Sequence, residues 1–365
     1  MPQELTLESY EESENISIDA VSNWVQRAKP AYENGEPTYL DAQGELTEGI
    51  YLEMPNDVYH ALPALSSSKL KKFIDSPAHY YREYLSNITR KRTTAMQNTF
   101  DAGTHAHTLV LEPQGYYQRN FRDVMPIDYP DALHTAVQIE EQLVTLGLKK
   151  SGTKAEKITR LVAADPTAAV FEAIQQREYD KQGVKSTEVV EGEEVITYGG
   201  KIPVDGQVWD DAHRAAKTTR NHSEANAYLS NGLPEVAIIH RCPDTKLMLK
   251  VKFDWLRFDD EAVDLKTTLS TRPEKFLRQL NDLHYDGQQE FYKYVALLSG
   301  IDIKSFTFVA TEYVHADICQ PFNLSSSKTM RAREKVQLGL KEMAKCIETD
   351  NWYGWSKEDC TMTLV

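Results

Sequence analysis

The chain has 365 residues, 41% of them hydrophobic and 26% charged, and a formal net charge of −14. That is apolar content enough for one large domain or two modest ones, and the charge is wrong for a protein that coats a polyanion with its whole surface. No apolar run approaches the roughly 18–20 residues of a membrane span, and the acidic opening MPQELTLESYEESEN lacks the basic start and apolar stretch of a secretory signal. Cys242, Cys319, Cys346 and Cys360 form no CxxC pair and none sits at zinc-finger spacing to a histidine, as expected of free thiols in a reducing cytoplasm.

Residues 1–50 hold eleven acids and two bases, a net −9, which leaves the rest near balance at −5 with room for a local basic groove. This acidic segment is expected to be mobile unless Trp24 and its neighbours dock somewhere. Only Ile18 to Ala28 has a helical rhythm, ended by Pro30. From Tyr51 the patterning strengthens. Ser66 to Ser68 read as the cap of an amphipathic helix through Leu70 and Phe73, and Pro77 opens a second helix. A third runs from about Phe100 to Leu111 and stops before Pro113. Residues 131–182 are a helix-rich insertion. β-like alternation from Thr187 to Gly200 follows, then a helix capped by Asp205. Short strands are expected at Glu235–His240, Leu247–Leu256 and Ala262–Leu265, a long helix at Asp282–Leu298, strands at Phe306–Val314 and Ile318–Phe322, and a last helix at Lys328–Ile347. Helices interleaved with strands predict an α/β fold, a central mixed sheet flanked by helices. The main domain spans 51–348 around the insertion, and 349–365 form a tail.

The stretch K-F-D-W-L-R-F-D-D-E-A-V-D-L-K-T-T carries the chemistry. Asp254 ends one strand and Asp264 lies on the next, so a hairpin brings the two carboxylates together. Asp264 and Lys266 are two apart and share a strand face, while Leu265 points to the opposite, buried side with its carbonyl still within reach of a ligand. Two acids and a lysine buried on apolar strands are costly without a ligand. Converging carboxylates suit Mg²⁺, which takes oxygen ligands, and a nearby ammonium suits the charge that develops when a phosphodiester is cleaved. D-x-K alone is common by chance, and a salt-bridged surface strand is the default explanation of an isolated one. Here four neighbours accompany it: Glu235 on the preceding strand, Asp254 at hairpin distance, Gln288 and Tyr292 one turn apart on the following helix, and His107 upstream.

The order His, Glu, Asp, D-x-K, Q-x-x-x-Y resembles the PD-(D/E)xK exonucleases. The segments L-S-S-S-K-L-K-K-F-I-D-S-P-A-H-Y, F-D-A-G-T-H-A-H-T-L-V-L-E-P, F-D-W-L with D-L-K-T-T, and Y-D-G-Q-Q-E-F-Y are most similar to the exonuclease VIII family, over about residues 51–348 with an interruption near 131–182. The resemblance implies a restriction-endonuclease-like core and a Mg²⁺-dependent deoxyribonuclease, with Mn²⁺ able to substitute. It would act on linear double-stranded DNA, 5′-to-3′, to make single-stranded tails for recombination. It implies His107, Asp254, Asp264 and the Leu265 carbonyl as metal ligands. Glu235 would hold a second metal or its water, Lys266 would position the attacking water, and Gln288 and Tyr292 would line the site and contact DNA. His105 competes with His107, and the match favours His107. A ring-shaped homo-oligomer, a single-strand annealing partner and the cytoplasm of a bacterial or phage-infected cell are implied as well. The rival readings are an endonuclease of the same fold and a DNA-binding protein whose nuclease site has decayed.

Within the insertion, residues 137–163 resemble the SAP motif, a small helical DNA-binding unit. Leu143, Leu146, Leu148, Ile158 and Leu161 would form its core, with turns at Gly147 and Gly152. Lys149, Lys150, Lys154, Lys157 and Arg160 would face phosphates. An ordinary amphipathic helical pair with a solvated basic face explains the same pattern.

Overall fold

The computed structural model describes residues 23–86, 94–190 and 193–357. They form two compact units, which divide at Leu111/Glu112 and at His213/Arg214.

The first unit is built on a mixed sheet of seven strands: β1 (Lys29–Pro30), β2 (Gly49–Leu52), β3 (Gly232–Arg241), β4 (Met248–Arg257), β5 (Glu261–Thr268), β6 (Ser305–Glu312) and β7 (Ile318–Phe322). Their order across the sheet follows the chain. β1 is parallel to β2, β5 is parallel to β6, and the other neighbours are antiparallel. The turn at Asp259–Asp260 closes the β4–β5 hairpin, with Asp260 at φ 64°. A parallel β5–β6 pair needs a crossover, and the residues between them supply two helices, Pro273–Asp282 and α2 (Tyr285–Leu298). Val236, Ile238, Val251, Phe253, Phe306 and Phe308 pack against Phe291 and Val295 of α2. Val336, Leu340 and Met343 of the closing helix Ser326–Thr349 complete this core. Each such side chain contributes about 1.5–3 kcal/mol through burial. The Ser67–Asp75 helix joins the same cluster through Leu70 and Phe73, and its cap Ser66 accepts the Lys69 N–H at 3.4 Å.

Over residues 23–50 the acidic segment is anchored, through the docking of Trp24 that would be the exception to its mobility. Trp24 is buried, 6.1 Å from the Phe258 ring, and its indole N–H reaches the Arg257 carbonyl at 3.2 Å. β1 adds an edge to the sheet, and Ala31 and Tyr39 pack with Tyr51, Met54 and Tyr59. Two aromatic rings and a strand outweigh the acidic composition, because the acids sit on exposed positions around them. Residues 1–22 lie outside the described residues. Beyond the last helix, Trp352 stacks on Tyr80 at 5.7 Å, so the start of the C-terminal tail is packed too.

The second unit, Glu112–His213, is wider than the expected insertion. Helices Ala136–Thr145, Lys154–Ala164 and Phe171–Gln182 surround a small core of Ile139, Leu143, Leu161 and Val170, with Leu148 and Ile158 against it. Leu146, expected in that core, is exposed instead: it caps the first of these helices, where the chain turns away at Gly147 (φ 67°). The expected β-like stretch is a hairpin of Lys185–Val190 with Glu193–Tyr198.

Candidate active site

The helix Thr94–Leu111, here α1, carries His107. It approaches β5 closely because position 103 is glycine. A Cβ there would meet the Thr267 hydroxyl at 2.6 Å, so a larger residue would require that hydroxyl to turn away or the helix to shift.

On the sheet the site coincides with a break in the β3–β4 ladder. Phe253 pairs with Val236 and Trp255 with Pro234, with no registered pair for Asp254 and Glu235 between them. Glu235 adopts φ 55°, a left-handed backbone that costs an L-residue roughly 1–3 kcal/mol and clusters at functional positions. Alternation slips here as well: Val251 and Phe253 belong to the core, and the next core residue on β4 is Leu256. The slip lets Asp254 lie between its neighbours on β3 and β5.

Three side chains converge. A nitrogen of His107 and one oxygen each from Glu235 and Asp254 all lie within 4.8 Å of one another. His107 Nε2 is 3.0 Å from Asp254 Oδ2, and Nδ1 is 4.0 Å from Glu235 Oε1. Asp254 Oδ2 also accepts the Leu265 N–H at 2.7 Å. Beside this triad Asp264 pairs with Lys266, Oδ2 to Nζ 2.5 Å, and its Oδ1 accepts from Gln288 Nε2 at 2.6 Å. The Lys266 ammonium lies 4.5 Å from the centroid of the Tyr285 ring. Lys252 pairs with Glu235 and donates to Asn56 Oδ1 at 2.7 Å.

The charges perturb one another. Burial pulls the His107 imidazolium down, but Asp254, Glu235 and Asp264 outweigh it and lift its pKa to about 9. Burial pushes the Asp264 carboxyl up to about 6, Lys266 opposes this, and the charge of Asp254 adds to it. Asp254 moves the other way: burial raises it, and His107 and Lys266 bring it below the usual carboxylate range. Burial holds Glu235 above its ordinary value against Lys252 and His107. Lys266 stays above an ordinary lysine because Asp264 and Asp254 outweigh its desolvation.

This arrangement fits a divalent cation. One nitrogen and two carboxylate oxygens within one ion's reach form a mixed donor set compatible with a divalent cation such as Mg²⁺. Asp264 Oδ2 is buried with no aligned hydrogen bond despite the nearby ammonium, an oxygen left able to accept more.

The residues singled out in the sequence fall into three groups. His107, Glu235, Asp254, Asp264, Lys266 and Gln288 meet here, and His105 is not among the three clustered side chains. Asp264 is almost fully buried, as expected of an acid on an apolar strand, but Leu265, expected on the buried side, is only half-buried beside Gly103 and His107. Both faces of β5 are covered, the one bearing Asp264 and Lys266 by Gln288 and Tyr285 of α2 and the one bearing Leu265 in part by α1, so two-residue alternation does not divide this strand into a buried and an exposed side. Tyr292 is a core side chain, 5.1 Å edge-on from Phe253. Lys252 was missed. Its signal was K-V-K-F-D, where two lysines and Asp254 alternate with core residues on one strand.

The basic side chains of the second unit do not form one open row. Lys154 pairs with Glu172, Lys157 with Glu140 at 2.5 Å, and Arg160 donates to the Lys149 and Ser151 carbonyls. Lys149 and Lys150 are exposed.

Comparison with known proteins gives one family. The model of a PDDEXK-like domain of unknown function (DUF3799) matches residues 66–362. No curated protein matches the chain. Among solved structures, a candidate exonuclease from Eubacterium rectale is similar at 11% identity, covering 82% of this chain and 88% of its own, with a TM-score of 0.47. SSO0001 is similar at 16% identity over 36% of this chain and 62% of its own, with a TM-score of 0.21. Among the described residues no helix is long and apolar enough to cross a membrane.

Proposed function

We propose, from the premise that this chain belongs to the family of PDDEXK-like domains of unknown function (DUF3799), that it is a Mg²⁺-dependent exonuclease of linear double-stranded DNA. The observation that carries the reading is the convergence of His107, Glu235 and Asp254 within one ion's reach, flanked by Asp264 and Lys266. The preference for DNA ends rests on the motif order shared with the exonuclease VIII family, which also suggests 5′-to-3′ polarity, a ring of subunits and an annealing partner.

In this reading His107, Asp254 and Asp264 would hold the cation with the Leu265 carbonyl, and Glu235 would reach the cation or its water. When bound, the cation lowers the pKa of a water and neutralises charge on the scissile phosphate. The protein's own groups do the rest. Lys266 keeps its proton, orients the attacking water and offsets the negative charge that grows on the phosphoryl oxygens. Gln288 fixes one Asp264 oxygen, so the other keeps its aim. Asp254 is anchored by the Leu265 N–H, which ties its carboxylate to β5.

The test is cleavage of linear duplex carrying a label at each end, compared with covalently closed circles, with Mg²⁺ and with EDTA. Metal-dependent loss of linear DNA from one end is expected. Nicking of circles would make the protein an endonuclease, and no cleavage with Mg²⁺ or Mn²⁺ would overturn the enzymatic reading.

A further inference from the structure

Lys252 lies two residues before Asp254 on β4 and diagonally across from Glu235 on β3, where a long side chain can span the ladder. Its ammonium is nearly buried and holds Glu235 Oε2 on one side and Asn56 Oδ1 on the other. It has little freedom to leave. Two residues earlier, Lys250 donates to the Tyr59, His60 and Leu62 carbonyls at 2.6, 3.1 and 3.0 Å. That pins the helix Asn56–Ala61, and with it Asn56, against the strand. Lys252 is therefore a fixed positive charge built into the site.

Charge balance gives the consequence. The site holds three carboxylates, Glu235, Asp254 and Asp264, and two lysines, Lys252 and Lys266. With His107 neutral as a ligand, one divalent cation leaves a net charge of +1, which one phosphodiester cancels. A second divalent cation would leave +3 in a largely desolvated site, a costly state.

Resting on the nuclease reading above, we infer that Lys252 is a resident counter-cation that takes the second-metal position at Glu235, so that each chain binds a single divalent cation. Glu235 then keeps one oxygen toward the His107 side and gives the other to the lysine.

The experiment is a Mn²⁺ titration of the full chain followed by electron paramagnetic resonance of the free ion, which counts bound metal without any turnover. One Mn²⁺ per chain is expected for the natural protein and for Lys252→Arg, which keeps the charge. Lys252→Met should bind two. Two ions on the natural protein would overturn the inference while leaving the nuclease reading intact, and so would a single ion on a folded Lys252→Met. No bound Mn²⁺ on the natural protein would overturn the metal-dependent reading itself, and the inference with it. If Lys252→Met does not fold, Lys252→Gln, which also removes the charge but keeps a polar group for Glu235 and Asn56, takes its place with the same expected count of two.

Discussion

His107 Nε2 lies 3.0 Å from Asp254 Oδ2, so a helix and a strand more than a hundred residues apart in the chain meet in one ion pair at the candidate metal centre. A protonated imidazole there occupies the geometry that a cation would take. Metal and proton therefore compete for the same side chain.

The first expectation concerns the acids and the lysine. Asp254→Ala, Asp264→Ala and Lys266→Ala should each lower cleavage by at least about 100-fold, because each removes a charge on which the transition state depends. Duplex binding should largely survive. Turnover and DNA affinity measured side by side check this. Near-natural turnover by Lys266→Ala would remove the role given to that ammonium.

The second follows from the raised His107 pKa. A base whose pKa is raised on folding contributes stability that is fully present below its unfolded value near 6.5 and lost as pH rises through about 9. Metal-free protein should lose part of its thermal stability between those values. His107→Gln should flatten that decline, and His105→Gln should leave it. Melting temperatures across pH 6 to 9.5 in EDTA decide the point, and equal behaviour of the two variants would contradict the placement of His107.

Trp24 supplies the third. It is 1% exposed and bridges the start of the described chain to Phe258 and Arg257. Trp24→Ala should cost about 3–5 kcal/mol of unfolding free energy, measured by urea denaturation. Deleting residues 2–50 removes this ring together with β1 and should yield insoluble protein. A well-folded deletion would show that the packing around Trp24 is dispensable.

The fourth concerns the second unit. Lys149 and Lys150 are exposed, while Lys154 and Lys157 are held in ion pairs. If this unit touches DNA, Lys149→Gln with Lys150→Gln should lower the slope of log affinity against log salt by up to about two units. Lys154→Gln with Lys157→Gln should change stability more than the slope. An unchanged slope in the first pair would leave the unit a structural insertion.

Local patterning in the sequence determined a good part of this. The cap at Ser66, the hairpin around Asp259–Asp260, the i, i+2 relation of Asp264 and Lys266 and the α/β class all depend on residues near one another in the chain, where period and turn chemistry set the outcome. The tertiary structure decided what depends on which surfaces meet. The left-handed backbone at Glu235 and the slip at Asp254 arise from strand pairing. The partial exposure of Leu265, beside Gly103 and His107, depends on where the Thr94–Leu111 helix docks. The docking of Trp24, the pairing of Lys252 with Glu235 and the ion pairs of Lys154 and Lys157 join residues 17 to 234 positions apart. Composition treats such residues as separate charges and rings. Only packing brings each to its partner, and a partnered charge behaves differently from a solvated one.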